Sequence, residues 1–151
     1  MGTEIINGVY YSPLNIISTT GGTVMHAIKG IDEFLPSFGE CYFSTAKSKD
    51  PKAWKKHSRM ICNLFVPKGE VKFVFFDDRV DSVDYKQIAE FNLGQSNYGR
   101  LTIFPNVWFG FAGVADNEDS LILNVANILH EPSESSRLEP DTEKIPYVWK
   151  F

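Results

Sequence analysis

Residues that hold disulfides and metals are scarce in this sequence. It carries two cysteines, Cys41 and Cys62, and three histidines, His26, His57 and His130. Two cysteines cannot build a disulfide framework for a chain of 151 residues. Both fall in apolar runs and read as buried, reduced thiols of a cytoplasmic protein. A metal site needs several histidine, cysteine or carboxylate ligands brought close together. This chain offers Lys55-Lys56-His57 and has no histidine or cysteine between Gly99 and Leu123. No metal site and no cofactor are expected. Apolar runs of membrane-spanning length are also missing, and the opening MGTEIINGVYY lacks a basic segment followed by an apolar one. No membrane association is expected. The net charge of −4 leaves no basic excess for a nucleic-acid-binding domain. Repeats, heptads and amphipathic helices are absent.

Aromatic residues, in contrast, are abundant. Twelve Phe, six Tyr and three Trp suit sheet surfaces or a sandwich interior. Strand-like runs cover Glu4–Tyr11, Leu14–Ser18, Thr23–Ile28, Glu40–Ala46, Met60–Val66, Val71–Phe76, Lys86–Leu93, Arg100–Phe104, Val107–Val114 and Ser120–Ala126. Turn residues such as Thr19-Thr20-Gly21-Gly22 and Pro67-Lys68-Gly69 separate them. Pro67-Lys68-Gly69 reads as the turn of a β-hairpin. His26 reads as a hydrogen-bonded structural residue. From Glu131 the chain turns polar, and its aromatic close, Ile145 to Trp149, is expected to pack back on the body. Nine or ten short strands with a turn every eight to twelve residues predict one all-β domain over residues 1–151, an antiparallel sandwich or jelly roll.

The chemistry gathers in one stretch, Lys52 to Arg79. Lys52, Lys55, Lys56, His57 and Arg59 cluster around Trp54 just before two apolar runs. Side chains two apart on a strand share a face. By that count Lys55, His57 and Arg59 face one way and Trp54 the other, as a core anchor. A solvated basic edge that discourages strand-to-strand pairing is the alternative.

The segments WKKHSRM, VPKGEVKFVFFDDR, YGRLTIFPNVWFGFAG and LEPDTEKIPYVW resemble the dTDP-4-dehydrorhamnose 3,5-epimerase family. The resemblance runs from about Gly39 to Trp149. Its most specific pieces are W-x-x-H at Trp54–His57, PNVWFGF at Pro105–Phe111, and EPD at Glu139–Asp141. It implies a cupin-type jelly roll, a homodimer that exchanges N-terminal strands, a nucleotide-sugar ligand, and chemistry without a metal. It also implies that Lys52 stands for an arginine that grips a diphosphate, although Lys lacks the bidentate fork. Lys55 falls where the family has its catalytic base, a histidine, and Glu139 where an aspartate orients that base. A Lys55–Glu139 pair is therefore expected. The family's catalytic tyrosine has no counterpart in Asn127-Ile128-Leu129-His130. Its catalytic lysine has none in Met60-Ile61-Cys62-Asn63, where Asn63 is the substrate-binding candidate.

Epimerisation beside a ketone needs a base for the α-proton, positive charge or donors at the enolate oxygen, and an acid on the opposite face. His57 is the best base by type. A neighbouring cation lowers the pKa of Lys55 and favours its neutral amine. Arg59 can hold a phosphate, Tyr98 is a candidate displaced acid, and Trp108 and Phe109 are candidates to stack on a base or sugar. Core packing is the alternative for both aromatics. A non-catalytic cupin that binds a nucleotide sugar or another anion is the alternative for the whole chain.

Overall fold

Short runs of β-branched and aromatic residues, interrupted by Gly, Pro and Asn turns, leave little material for helix. The computed structural model describes residues 2–151, and among these there are thirteen strands, one 3₁₀ turn at Pro132–Glu134 and no α-helix. The first four strands are β1 (Thr3–Ile6), β2 (Val9–Pro13), β3 (Ile16–Thr19) and β4 (Gly22–Met25). After a long irregular loop come β5 (Glu40–Ala46), β6 (Lys52–His57), β7 (Cys62–Lys68) and β8 (Glu70–Phe76). Next are β9 (Ile88–Gly94), β10 (Gly99–Ile103), β11 (Trp108–Gly113), β12 (Ser120–Ala126) and β13 (Ser135–Arg137).

These strands build two antiparallel sheets, ordered β1-β2-β10-β7-β12-β5 and β13-β6-β11-β8-β9, with β3 and β4 paired only to each other. The architecture is an all-β jelly-roll sandwich of the cupin type. Alternate residues of both sheets face inward. Val9, Leu64, Val66, Val71, Phe73, Phe75, Leu101, Ile103 and Ile122 thus meet in one buried core. A second core lies on the outer face of the β6–β11–β8 layer, where Trp54, Val74, Phe76, Trp108 and Ile145 pack together. The tail covers it, with Tyr147 and Trp149 against the Trp54 ring at 6.0 and 5.6 Å between centroids. Strand β8 is therefore buried on both faces, and its near-continuous apolar run VKFVFF reflects this.

Several expectations change. Runs β7 and β8 are not a hairpin. Strand β7 pairs with β10 and β12, and β8 with β11 and β9. The chain turns a corner at Gly69, whose φ of +84° suits glycine. A Cβ there would lie 2.2 Å from the Ser120 hydroxyl. Glu4–Tyr11 is not one strand but a pair, β1 and β2, turned at Asn7-Gly8. The polar tail contributes β13, which its Ser-Ser-Arg sequence does not announce. Cys62 is buried as expected but Cys41 is exposed, because it lies on the outward face of an edge strand.

Candidate active site

Strand β6 brings the central cluster to the gap between the sheets. Its register with β11 pairs Lys55 with Phe109 and Lys52 with Phe111, so three steps of β6 match two of β11. The extra residue is a bulge, and it puts Lys52 on the same side as Lys55 and His57. Together they line a cavity of about 220 Å³. The second sheet also supplies Phe109, Phe111 and Arg137, and the first sheet forms the opposite wall with Tyr42, Ser44, Cys62, Leu64, Ile122 and Asn124.

His57, which lines this cavity, belongs to a buried pair. His57 and Glu134 are both about 5% exposed, and the ring Nδ1 is hydrogen-bonded to Glu134 Oε1. The other carboxylate oxygen, Oε2, accepts the backbone N–H groups of Ser58, Arg59 and Met60 at 3.1, 3.0 and 3.1 Å. Burial alone would raise the Glu134 pKa. The Arg59 and Met60 amides and the His57 ring outweigh burial and hold it below its ordinary value of 4.5. Glu134 is therefore a carboxylate and can only accept, so His57 carries its proton on Nδ1 and keeps Nε2 as a free base. Burial lowers the His57 pKa below 6.5, outweighing the raising effect of Glu134. The ring stacks on Phe109, 6.1 Å between centroids.

Three cations surround this base. Among the described residues, Lys52, Lys55 and Arg137 form no ion pair with a carboxylate. Burial lowers the Lys55 pKa first, and the Arg137 guanidinium second. Arg137 stands beside Lys55 because β13 pairs Arg137 with Lys55 and Ser135 with His57.

Other sequence candidates lie elsewhere. Glu139 is exposed and outside ion-pair distance of both Lys55 and His57. The orienting carboxylate is Glu134, because the β13 pairing brings the 3₁₀ turn, and not the later EPD segment, over the end of β6. Arg59 follows β6 in a turn and lines a separate surface hollow with Phe38, Asn127 and His130. The alternation that would put it beside His57 ends with the strand. Asn63 is fully buried on the opposite side of β7 from Cys62, where it accepts the Thr102 hydroxyl and donates to the Phe34 carbonyl. Tyr98 donates to the His26 carbonyl at 2.7 Å and does not line the cavity. Trp108 belongs to the outer core, with its Nε1–H donated to Asp78 at 2.8 Å and Lys56 over its ring at 4.7 Å. Of the two aromatics, only Phe109 faces the cavity. Sequence reasoning missed Glu134, Arg137, Tyr42 and Asn124. The one local signal was Pro132, which opens the turn that carries Glu134.

A cavity between cupin sheets, with a carboxylate-oriented histidine and unpaired cations, defines a class of small-molecule binding proteins equipped for proton transfer. No protein-family model matches the chain. It is 36% identical to a dTDP sugar isomerase from Desulfovibrio desulfuricans G20, whose crystal structure superposes with a TM-score of 0.91 over 95% of this chain and 92% of that one. It is 32% identical over 107 residues to a Haloferax volcanii protein named as a probable low-salt glycan biosynthesis epimerase, Agl13. That match spans 70% of this chain and 65% of the relative, less than two thirds of its length. NovW, a 4-keto-6-deoxy sugar epimerase from Streptomyces spheroides, has the same fold, with a TM-score of 0.85 over 99% of this chain and 78% of that one, at 14% identity. The chain belongs to the family of dTDP-sugar isomerases and epimerases.

Proposed function

We propose that this chain is a nucleotide-sugar epimerase or isomerase that takes the proton beside the ketone of a dTDP-4-keto-6-deoxyhexose-like substrate. The observation that carries this reading is the His57–Glu134 pair at the wall of the cavity. The carboxylate fixes the ring and stabilises the imidazolium that forms, and Nε2 removes the α-proton. The electron pair moves into a carbon–carbon double bond, and the Lys55 ammonium stabilises the enolate oxygen. Proton removal and return is redox-neutral. Lys52 and Arg137 hold the diphosphate as point charge and fork. Phe109 and Phe111 form the apolar floor under the sugar. A cavity of about 220 Å³ is smaller than typical ligand pockets of roughly 300–1,000 Å³. The sugar therefore enters it and the nucleotide lies across its rim. Residues 1–151 act as a single unit, as a cytoplasmic homodimer serving glycan or polysaccharide synthesis. The named activities of the dTDP-sugar relatives support the substrate class.

Incubation with dTDP-4-keto-6-deoxyglucose in deuterated water tests the reading. Deuterium at C3 or C5, read by NMR, is the expected result. Tight binding with no deuterium uptake overturns it in favour of a binding module.

A further inference from the structure

Inversion at a carbon needs two groups, because a single base returns the proton to the face it came from. His57 stands on the sheet that holds β6, so the second group belongs on the facing wall. That wall presents Tyr42, Ser44, Cys62, Leu64, Ile122 and Asn124. Leu64 and Ile122 have no exchangeable side-chain proton, and the Asn124 amide is not an acid. Ser44 is an alcohol without an ordinary titrating proton. The Cys62 thiol is 2% exposed, too buried to regain a proton readily from solvent. The Tyr42 phenol remains.

We propose that Tyr42 is the acid that delivers a proton to the substrate carbon on the face opposite His57. The role rests on the epimerase reading above. Tyr42 lies on β5 directly opposite Asn124 on β12, so the two side chains share a face of the sheet. The orientation of the Asn124 amide is fixed from behind, since its Oδ1 accepts the Asn63 backbone N–H at 3.2 Å. Its Nδ2 therefore points forward and donates to the Tyr42 oxygen at 3.0 Å. A phenol oxygen that accepts from an amide keeps its own hydrogen free for the cavity. The same amide stabilises the phenolate left behind. Burial holds the phenol above its ordinary value of 10.0, so the resting group is protonated. Tyr42 is 40% exposed, which gives it a route to solvent.

The step balances. His57 Nε2 takes the α-proton, and the C–H electron pair becomes the enolate double bond. The enolate carbon then takes the Tyr42 proton on its other face. The C–H bond forms, the O–H bond breaks, and the ketone is restored. Water reprotonates the phenolate and removes the proton from the imidazolium.

Exchange and inversion separate in Tyr42→Phe. With dTDP-4-keto-6-deoxyglucose in deuterated water, His57 still exchanges its proton and returns label to the original face. The expected result is deuterium uptake within about tenfold of the unmodified protein, with inverted product reduced by about 100-fold or more. Affinity for dTDP by calorimetry is expected to stay within twofold, with the thermal midpoint unchanged. Asn124→Leu, which leaves the phenol but removes its donor, is expected to lower inversion more than exchange. Inversion within twofold of the unmodified protein in Tyr42→Phe overturns the role of Tyr42 alone. Equal loss of exchange and inversion in a folded Tyr42→Phe overturns it too. Absence of exchange in the unmodified protein overturns the epimerase reading and the role of Tyr42 with it.

Discussion

At the scale of single residues, the site is decided by what surrounds His57. A histidine in a basic run is legible in a sequence, and so is its suitability as a base. Its partner is not, because Glu134 lies 77 residues away and sits among polar residues that look like a solvated tail. The resemblance led to the acid of the EPD segment, five positions beyond the one that folding selects. Glu134→Gln keeps the shape but sets an amide against three backbone N–H donors. Loss of charge-assisted hydrogen bonds in a buried site costs about 3 kcal/mol. At about 3 °C per kcal/mol for a chain of this size, the thermal midpoint should fall by about 9 °C. Glu139→Gln should leave it unchanged. The pH profile carries a sign. Burial lowers the His57 pKa, so the acid limb of kcat/KM should lie below the ordinary value of 6.5. Glu134 raises that pKa, so Glu134→Gln should move the limb lower still while reducing the plateau. Stability follows the same direction. Both folded-state pKa values are lowered, so the unfolded chain binds more protons in each window. Stability should decline as pH falls below 6.5 through the His57 window, and again below 4.5 through that of Glu134.

At the scale of elements, β6 and β13 make one wall of the cavity. Alternation correctly separates Trp54 from Lys55 and His57, but a simple count of two cannot place Lys52, three residues before Lys55. The bulge opposite β11 does that. Alternation also overreaches at Arg59, where the strand has ended. Strand β13 was illegible because three polar residues carry no β signal, and only its pairing with β6 makes them a strand. Strand β8 was legible because burial on both faces leaves an unbroken apolar run, while the choice of its partners was not. Arg137→Ala removes a cation from the cavity rim. Dissociation of dTDP measured by calorimetry should weaken by about tenfold or more, as expected for a lost charge-assisted hydrogen bond. Arg59→Ala, a change in a separate hollow, should weaken it by less than about twofold. Equal effects of the two substitutions would contradict the placement of the rim.

At the scale of the whole molecule, regular turns and alternating apolar residues made the sandwich readable, and the cavity between its sheets follows from that architecture. The homodimer proposed above rests on a different feature. Strands β3 and β4 pair only with each other and expose Ile16, Ile17 and Val24. A two-stranded ribbon is marginal by itself and gains stability by packing on a partner. Light scattering should give a dimer, and Ile17→Lys should shift the population toward monomer. A monomer at micromolar concentration in the unmodified chain would contradict this. No helix among the described residues is long and apolar enough to cross a membrane.

The central claim is that His57, held by Glu134, takes a proton from a sugar carbon beside a ketone. The most direct test is the rate of deuterium uptake from solvent into dTDP-4-keto-6-deoxyglucose by His57→Asn, compared with the unmodified protein. The account predicts a fall of about 1,000-fold, within the range for a positioned general base, with dTDP affinity retained. Uptake by His57→Asn within tenfold of the unmodified rate would contradict it.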